Sequence, residues 1–383
     1  MRRQETGARR HFDRLVSWAL LIGTFVFSMT LAETALRWFL PQKLSINVSQ
    51  WDPDVGFSLR PNAVGFSETP EYVMHVSVNS HGLRDAEYGY AKPPHTFRVG
   101  VFGDSFTFGE GVEAEAAYPK LLERYLNRDA PALGSTVRVE VLNFGIGKTG
   151  TSHQYAWYRK EGRKYGLDLV ILGFLAGNDF EDNWGGVYRL KNNVLVHNPT
   201  SYSSIRKLQR VVQEIPLYDW AVSHSHLVNL ARAGATILDD RIRTQAGRSA
   251  NGEDGDLVEG RKLELTLRLI EAFRDQALTD QSRFLFVNLP GKGQQVVAQY
   301  GQSQEIPPHI LSCAAVLNHL RTSGVDVLDL VPTFAKLPTE THYFVHDGHM
   351  TVTGHRVVAR ELAHYIGPII APSYPEAVAK SGL

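Results

Sequence analysis

Cysteine is almost missing from this chain of 383 residues; Cys313 stands alone. One thiol closes no intrachain disulfide, so the fold is not a stapled one. HExxH and CxxC spacings are missing too, so a metal would have to be held by His and carboxylates, and none is expected. Net charge is also lacking. Forty Lys and Arg balance forty Asp and Glu, which leaves no global field to hold nucleic acid or an anionic lipid surface. Gly103, Gly109 and Gly111 do not make GxGxxG and no GK[ST] follows, so dinucleotide and P-loop chemistry are unsupported and no cofactor is expected. There are no internal repeats and no low-complexity tract.

What is present fits a globular body: 43% of residues are hydrophobic and 21% charged, enough to bury a sizeable core. Charge is uneven only at the start. Residues 1–14 carry Arg2, Arg3, Arg9, Arg10 and Arg14 against Glu5 and Asp13. Leu15 to Leu31 then runs without a charge, and continued to Leu40 it is long enough to cross a bilayer. Glu33 and Arg37 fall near the far interface, beside Trp38 and Phe39. The basic flank should stay cytoplasmic, which puts the body on the periplasmic or extracellular side of the inner membrane. Two other readings stand beside this 15–40 anchor: a cleaved signal peptide, carried by Thr30-Leu31-Ala32, and a buried helix of a soluble protein.

Residues 41–95 read as a strand-and-loop extension with one alternating segment, Tyr72–Val78. Arg84 and Asp85 within it are read as a structural ion pair, or else as an edge of the cleft. From 96 to 370 apolar strands alternate with helices. Strands are expected at Phe97–Phe102, Val137–Leu142, Leu167–Phe174, Arg283–Asn288 and Val325–Leu330. Helices are expected near 118–126, 152–165, 260–277, 307–323 and 353–366, with Cys313 a small buried side chain on the fourth. This rhythm predicts a mainly parallel sheet covered on both faces, with its site at the carboxyl ends of the strands. Residues 185–259 interrupt it with polar stretches (Asn192, Asn193, Ser201–Ser204, the acidic loop Asn251–Asp256) and one helix around Trp220–Leu238. A segment of this length is read as a lid or specificity element. Residues 371–383 are a tail.

The chemistry concentrates at strand ends. Gly103-Asp104-Ser105-Phe106 follows the first strand, where a strand-to-helix turn exposes the serine hydroxyl and aims its N–H the same way. An ordinary Ser N-cap is the alternative. It is not the GxSxG elbow, because Asp104 precedes the serine and Thr107 takes the second glycine's place. Before the last helix comes His346-Asp347-Gly348-His349, with His355 further on. A parallel sheet returns this loop beside Ser105, where His349 would accept the serine proton and Asp347 would orient the ring; His346, His349 and His355 as surface or capping residues, or as a metal cluster with Asp347, are the alternatives. Asn143-Phe144-Gly145-Ile146-Gly147 and Gly177-Asn178-Asp179 follow the second and third strands. A backbone N–H of the first and the Asn178 side chain are candidate oxyanion donors.

These four blocks, in this order, resemble those of SGNH (GDSL-type) hydrolases over roughly residues 96–368. Leu31-Ala32-Glu33…Leu36-Arg37 and Asn79…Gly82-Leu83-Arg84-Asp85 are similar to segments of membrane-anchored bacterial members. The resemblance implies a three-layer α/β/α sandwich and ester hydrolysis or acyl transfer. It also implies Ser105 as nucleophile, Gly147 and Asn178 with Ser105 in the oxyanion hole, and His349 as base. Two departures stand out. His346 occupies the family's usual Asp position, leaving Asp347 two residues before His349 as in polysaccharide-acetylating relatives, and Lys148 sits where some alignments place the oxyanion glycine. The expected activity is removal or transfer of O-acetyl groups on envelope or exported carbohydrate. The expected partners are a small-molecule or carbohydrate ester, the membrane through the N-terminal helix, and envelope or polysaccharide-export proteins; no nucleic acid is expected. A lipid esterase, with Trp184, Tyr188, Trp220 and Phe344 lining an apolar cleft, and a non-catalytic sugar-binding module are the rival readings.

Overall fold

The computed structural model describes residues 2–129, 137–198, 215, 217–251, 255–300 and 307–370. The expected 371–383 tail, Ser201–Ser204 and the centre of the acidic loop, 252–254, lie outside them. The chain forms two compact units. The first comprises Met1–Ile46, Glu68–Pro70 and Ser204–Ala250, and the second Asn47–Ser67, Glu71–Ser203 and Asn251–Leu383.

In the first unit α1 (Arg2–Phe39) is one continuous helix, followed by the short strand β1 (Leu44–Ile46). Its Phe12–Phe39 stretch is long and apolar enough to cross a membrane. None of that stretch is buried in the protein, so it is not a core helix. The insertion's helices, Tyr218–His224 and His226–Asn251, join its far end. The Glu33 carboxylate accepts the N–H groups of His226 and Leu227, both at 2.9 Å, and the Ser225 hydroxyl at 2.8 Å. A carboxylate at orphan N–H groups is a helix cap supplied from elsewhere in the chain. The insertion thus divides, and its helical part belongs to the same unit as α1.

The second unit is built on five parallel strands: β6 (Thr96–Phe102), β7 (Arg138–Asn143), β8 (Leu169–Leu175), β11 (Arg283–Leu289) and β12 (Asp326–Asp329), in the order β12-β11-β8-β6-β7. Successive side chains of a strand point to opposite faces, so a strand buried on both reads as a continuous apolar run. Every residue of β6 and β8 is buried. On one face Val170, Leu172 and Phe174 pack under α4 (Thr151–Lys160), α5 (Gly255–Thr279) and α6 (Pro308–Thr322). On the other, Val99, Val101 and Ile171 pack under α3 (Tyr118–Asp129) and α7 (Val352–Ile370). The result is a three-layer α/β/α sandwich. Its strand order reverses between β6 and β8, the point where open α/β sheets hold ligands.

Smaller pieces surround the sheet. β2 (Ser49–Asp52) and β3 (Gly56–Leu59) form an antiparallel pair, and β4 (Val64–Glu68) pairs with β5 (Val73–Ser77). A hairpin of β9 (Tyr188–Lys191) and β10 (Val194–His197), unforeseen from the sequence, opens the insertion. Its two-residue turn is Asn192-Asn193, both at positive φ, which asparagine tolerates well. The expected Arg84–Asp85 ion pair does not form. Each side chain finds a partner of its own: Asp85 pairs with Lys120 at 3.0 Å, while Arg84 donates to the carbonyls of His75, Phe108, Gly109 and Val112.

Candidate active site

At the end of β6 the chain turns directly into α2 (Ser105–Phe108). Asp104 caps that helix, its Oδ1 accepting the Phe106 N–H at 2.9 Å. Glycine is required on both sides of the turn. A Cβ on Gly103 would lie 2.0 Å from Thr107 Oγ1, and one on Gly145 would lie 2.3 Å from the Phe108 nitrogen. The turn after β7 is therefore pressed against the serine turn, and Ile146 N–H donates to the Gly103 carbonyl at 3.1 Å. Gly147 is looser. Its Cβ would sit at ordinary contact distance, 3.8 Å from Ser105 Cβ. Among the described residues neither the Ser105 nor the Gly147 N–H meets an acceptor, so both are open to a ligand oxygen.

The histidine arrives on a loop closed by a bridge between Tyr343 and Met350. His349 Nε2 lies 2.8 Å from Ser105 Oγ, and its Nδ1 is hydrogen-bonded to Asp347 Oδ1. This network assigns the Nδ1–H tautomer, with Nε2 free to accept. Asp347 is itself held: Tyr72 donates its hydroxyl to Oδ2 at 3.0 Å. Burial and the charges of Glu110 and Asp347 push the Tyr72 phenol upward, so it stays a donor. Glu71 grips the loop backbone, accepting the N–H groups of Val345 at 2.7 Å, His346 at 3.0 Å and Asp347 at 2.8 Å. Desolvation works against its charge, but these three donors outweigh it and hold the carboxyl below its ordinary value. Lys292 adds a contact to the Val345 carbonyl at 2.8 Å.

His346 is exposed and takes part through its backbone N–H. His355 lies apart, buried on α7, with Nδ1 accepting the Tyr118 N–H; burial pushes its pKa down to about 3. It is a neutral structural acceptor.

Asn178 reaches the serine side, but its amide is engaged. Nδ2 donates to Asp104 Oδ2 at 3.1 Å and to Asp182 Oδ2 at 3.0 Å. Burial raises the pKa of Asp104, Asp179 and Asp182, the last to about 6. Tyr188 is core, its ring 5.3 Å from that of Tyr155, while Trp184 and Phe344 are half-buried against the same core. Trp220 is exposed in the first unit.

Ser105, His349 and Asp347 thus form one hydrogen-bonded line. An imidazole so placed can take a hydroxyl proton while a carboxylate steadies the cation that forms. The expectation from sequence missed Glu71 and Tyr72, which stand 274 to 276 residues from the groups they hold in the loop. No local pattern in 68–74 announces that contact.

Residues 253–379 match the family model described as an SGNH hydrolase-like domain, acetyltransferase AlgX. The match takes in Asp347 and His349 and stops short of Ser105. Among solved structures, an acetyl xylan esterase is 14% identical, covering 70% of this chain and 100% of its own, with a TM-score of 0.40. The lipase/acylhydrolase from Enterococcus faecalis is 12% identical over 71% of this chain and 96% of its own, TM-score 0.40. A two-domain esterase active on acetylated mannans is 11% identical over 72% and 50%, TM-score 0.40. No curated protein matches the chain. The chain resembles the SGNH hydrolases and has their fold, and its likeness to the O-acetyl-handling members is distant.

Proposed function

From a chain with the SGNH hydrolase fold, we propose an esterase-type enzyme in which Ser105 is the nucleophile, His349 the general base and Asp347 its orienting acid. The observation that carries it is the Ser105 Oγ–His349 Nε2 contact of 2.8 Å, with Asp347 on the far nitrogen. Ser105 Oγ attacks the ester carbonyl as its proton passes to Nε2. The oxyanion takes the free N–H groups of Ser105 and Gly147. His349 then returns the proton to the leaving alcohol, and an acyl-enzyme remains. Water or a second hydroxyl, deprotonated by the same imidazole, releases it as acid or as a new ester. Asn178 is a third oxyanion donor in this scheme only after Asp104 or Asp182 gives up one of its amide hydrogens.

The acyl group is acetyl and its carrier a carbohydrate of the envelope or an exported polysaccharide. Supporting this is the acetyltransferase description of the matched family, together with an apolar helix that would hold the body at a membrane. The same description favours transfer to a carbohydrate hydroxyl as the second reading. The body would face the periplasm or cell exterior, beside envelope or polysaccharide-export proteins. The full chain is assayed on nitrophenyl esters from acetyl to decanoyl, with and without a carbohydrate acceptor. Cleavage of acetyl esters alone is expected, and loss of hydrolysis to an acetylated acceptor marks transfer. Cleavage restricted to chains beyond about eight carbons would remove the carbohydrate reading. A chain inert on every ester, and unaffected by Ser105→Ala, would be a binding module.

A further inference from the structure

Outside the site, an unexplained exposed apolar surface is formed by Ile215 and the stretch 217–238, which joins the end of α1. It begins with three exposed apolar side chains: Ile215, Leu217 (76% exposed) and Trp220 (61%). Leu217 sits at φ +73, in the left-handed region that a branched apolar residue rarely adopts. Leu230, Ile237 and Leu238 continue the exposed apolar series along the following helix. A water-facing surface of this kind calls for an occupant.

The position of this stretch is fixed by α1. Arg37 donates to the His224 carbonyl at 3.0 Å, closing the end of the Tyr218–His224 helix. Glu33 caps the next helix through His226 and Leu227, and His226 Nδ1 in turn accepts the Gln42 N–H at 2.8 Å. At about 1.5 Å per residue, roughly 20 residues cross the hydrocarbon core. Counted from Leu15, the first residue past the arginine flank, the crossing ends near Glu33 and Arg37. These two residues therefore mark the far boundary of the hydrocarbon, and the 218–224 helix is tied to that level. Trp38 (78% exposed) and Phe39 (87%) lie there too, the residue types that populate membrane–water interfaces.

We propose that residues 217–238, with Ile215, form an interfacial foot, lying in the headgroup layer of the bilayer that α1 crosses, with Ile215, Leu217 and Trp220 inserted into the lipid boundary. This rests on the reading of α1 as an uncleaved span. The helical part of the insertion thereby serves the membrane: two contacts to lipid, one crossing and one lying flat, restrict the unit's tilt where a single helix would leave it free. Glu33 is the pivot, because its carboxylate is the cap that sets the second helix against the first.

The test places nitroxide labels on the full-length protein in lipid nanodiscs, through Leu217→Cys, Trp220→Cys, Leu21→Cys and Glu115→Cys taken singly. Cys313 is buried and its thiol is pushed up to about 12, so it stays unlabelled. The readout is the ratio of collisions with oxygen to collisions with a water-soluble nickel chelate. Leu21 reports the span itself and Glu115 the aqueous reference. The foot predicts ratios at 217 and 220 several-fold above that at 115 and below that at 21. Glu33→Gln should bring the 220 ratio down toward the aqueous value while position 21 stays immersed. If 21 is immersed and 217 and 220 read as aqueous, the foot is overturned and the span survives. If 21 also reads as aqueous, both fall. Spin–spin broadening at 220 with no lipid contact would assign the surface to a second copy of the chain and overturn the proposal as well.

Discussion

The two loops that meet at the candidate site are held in opposite ways. The serine loop is fixed by backbone against backbone: Gly103 and Gly145 leave no room for a Cβ, and Asp104 caps the short helix from within the motif. The histidine loop is fixed by side chains from far away, with Glu71 on three of its N–H groups and Tyr72 on its acid. One half of the site is therefore as rigid as the sheet that carries it. The other depends on the extension that precedes the sheet in the chain.

Substitutions should expose that difference, beginning with the largest effect. Gly145→Ala drives a Cβ into the Phe108 nitrogen and the Thr107 carbonyl carbon, neither of which can move without shifting Ser105. Overpacking of this kind costs about 3 kcal/mol, so poor expression and a sharply lowered Tm are expected. Gly147→Ala, at ordinary contact distance, should keep the wild-type Tm. Glu71→Gln comes next. It keeps the shape and removes the charge that holds three N–H groups. The fold should survive, seen as an unchanged far-UV spectrum, while kcat/KM on nitrophenyl acetate drops on the order of tenfold or more through misplaced His349. Equal losses of Tm and activity would instead mark Glu71 as simply structural.

Tyr72→Phe is milder. Without that hydroxyl the Asp347 carboxylate carries more of its charge toward His349, which favours the imidazolium. The acid limb of the pH–rate profile should therefore move to higher pH, with kcat on the plateau within a few-fold of wild type. An unmoved limb would mean that Tyr72 does not tune the pair.

The smallest effect belongs to the carboxylates behind Ser105. Burial raises Asp182 from an ordinary 3.8 to about 6. A raised carboxylate binds its proton more tightly in the folded state, so the stability it costs is absent below about pH 4 and grows as pH rises toward 6. Asp182→Asn should melt a few degrees above wild type at pH 8 and level with it at pH 4, read as Tm across that range. A gain at pH 4 equal to the gain at pH 8 would exclude the ionisation as its source.

This contrast also explains what the sequence revealed. Ser105 was legible because a strand-to-turn-to-helix step is local: FRVGVF, a tight GDS and a capping aspartate occur within ten residues. That the strands are parallel and covered by helices on both faces follows from apolar runs alternating with helices, and β6 and β8 are buried throughout as such runs require; the order of the strands does not follow from it. His349 was legible through topology, since the loop before the last helix returns to the same sheet edge. Glu71 and Tyr72 were not, because a contact spanning about 275 residues leaves no periodic trace. Arg84 and Asp85 misled for a related reason. Adjacent opposite charges suggest a pair, yet each is taken by partners distant in the chain, the Phe108–Val112 carbonyls for Arg84 and Lys120 for Asp85. The hairpin at Tyr188–His197 was hidden by its polar turn, although Asn192-Asn193 has the residues that such a turn favours.

The most direct test of the account is covalent. The full-length protein is treated with a fluorophosphonate and the adduct mapped by mass spectrometry, in parallel with Ser105→Ala and His349→Ala. One phosphonyl group on Ser105, absent from Ser105→Ala and formed at least about a hundredfold more slowly in His349→Ala, is the predicted result. An adduct on another residue, or labelling of Ser105 at an unchanged rate without His349, would contradict it.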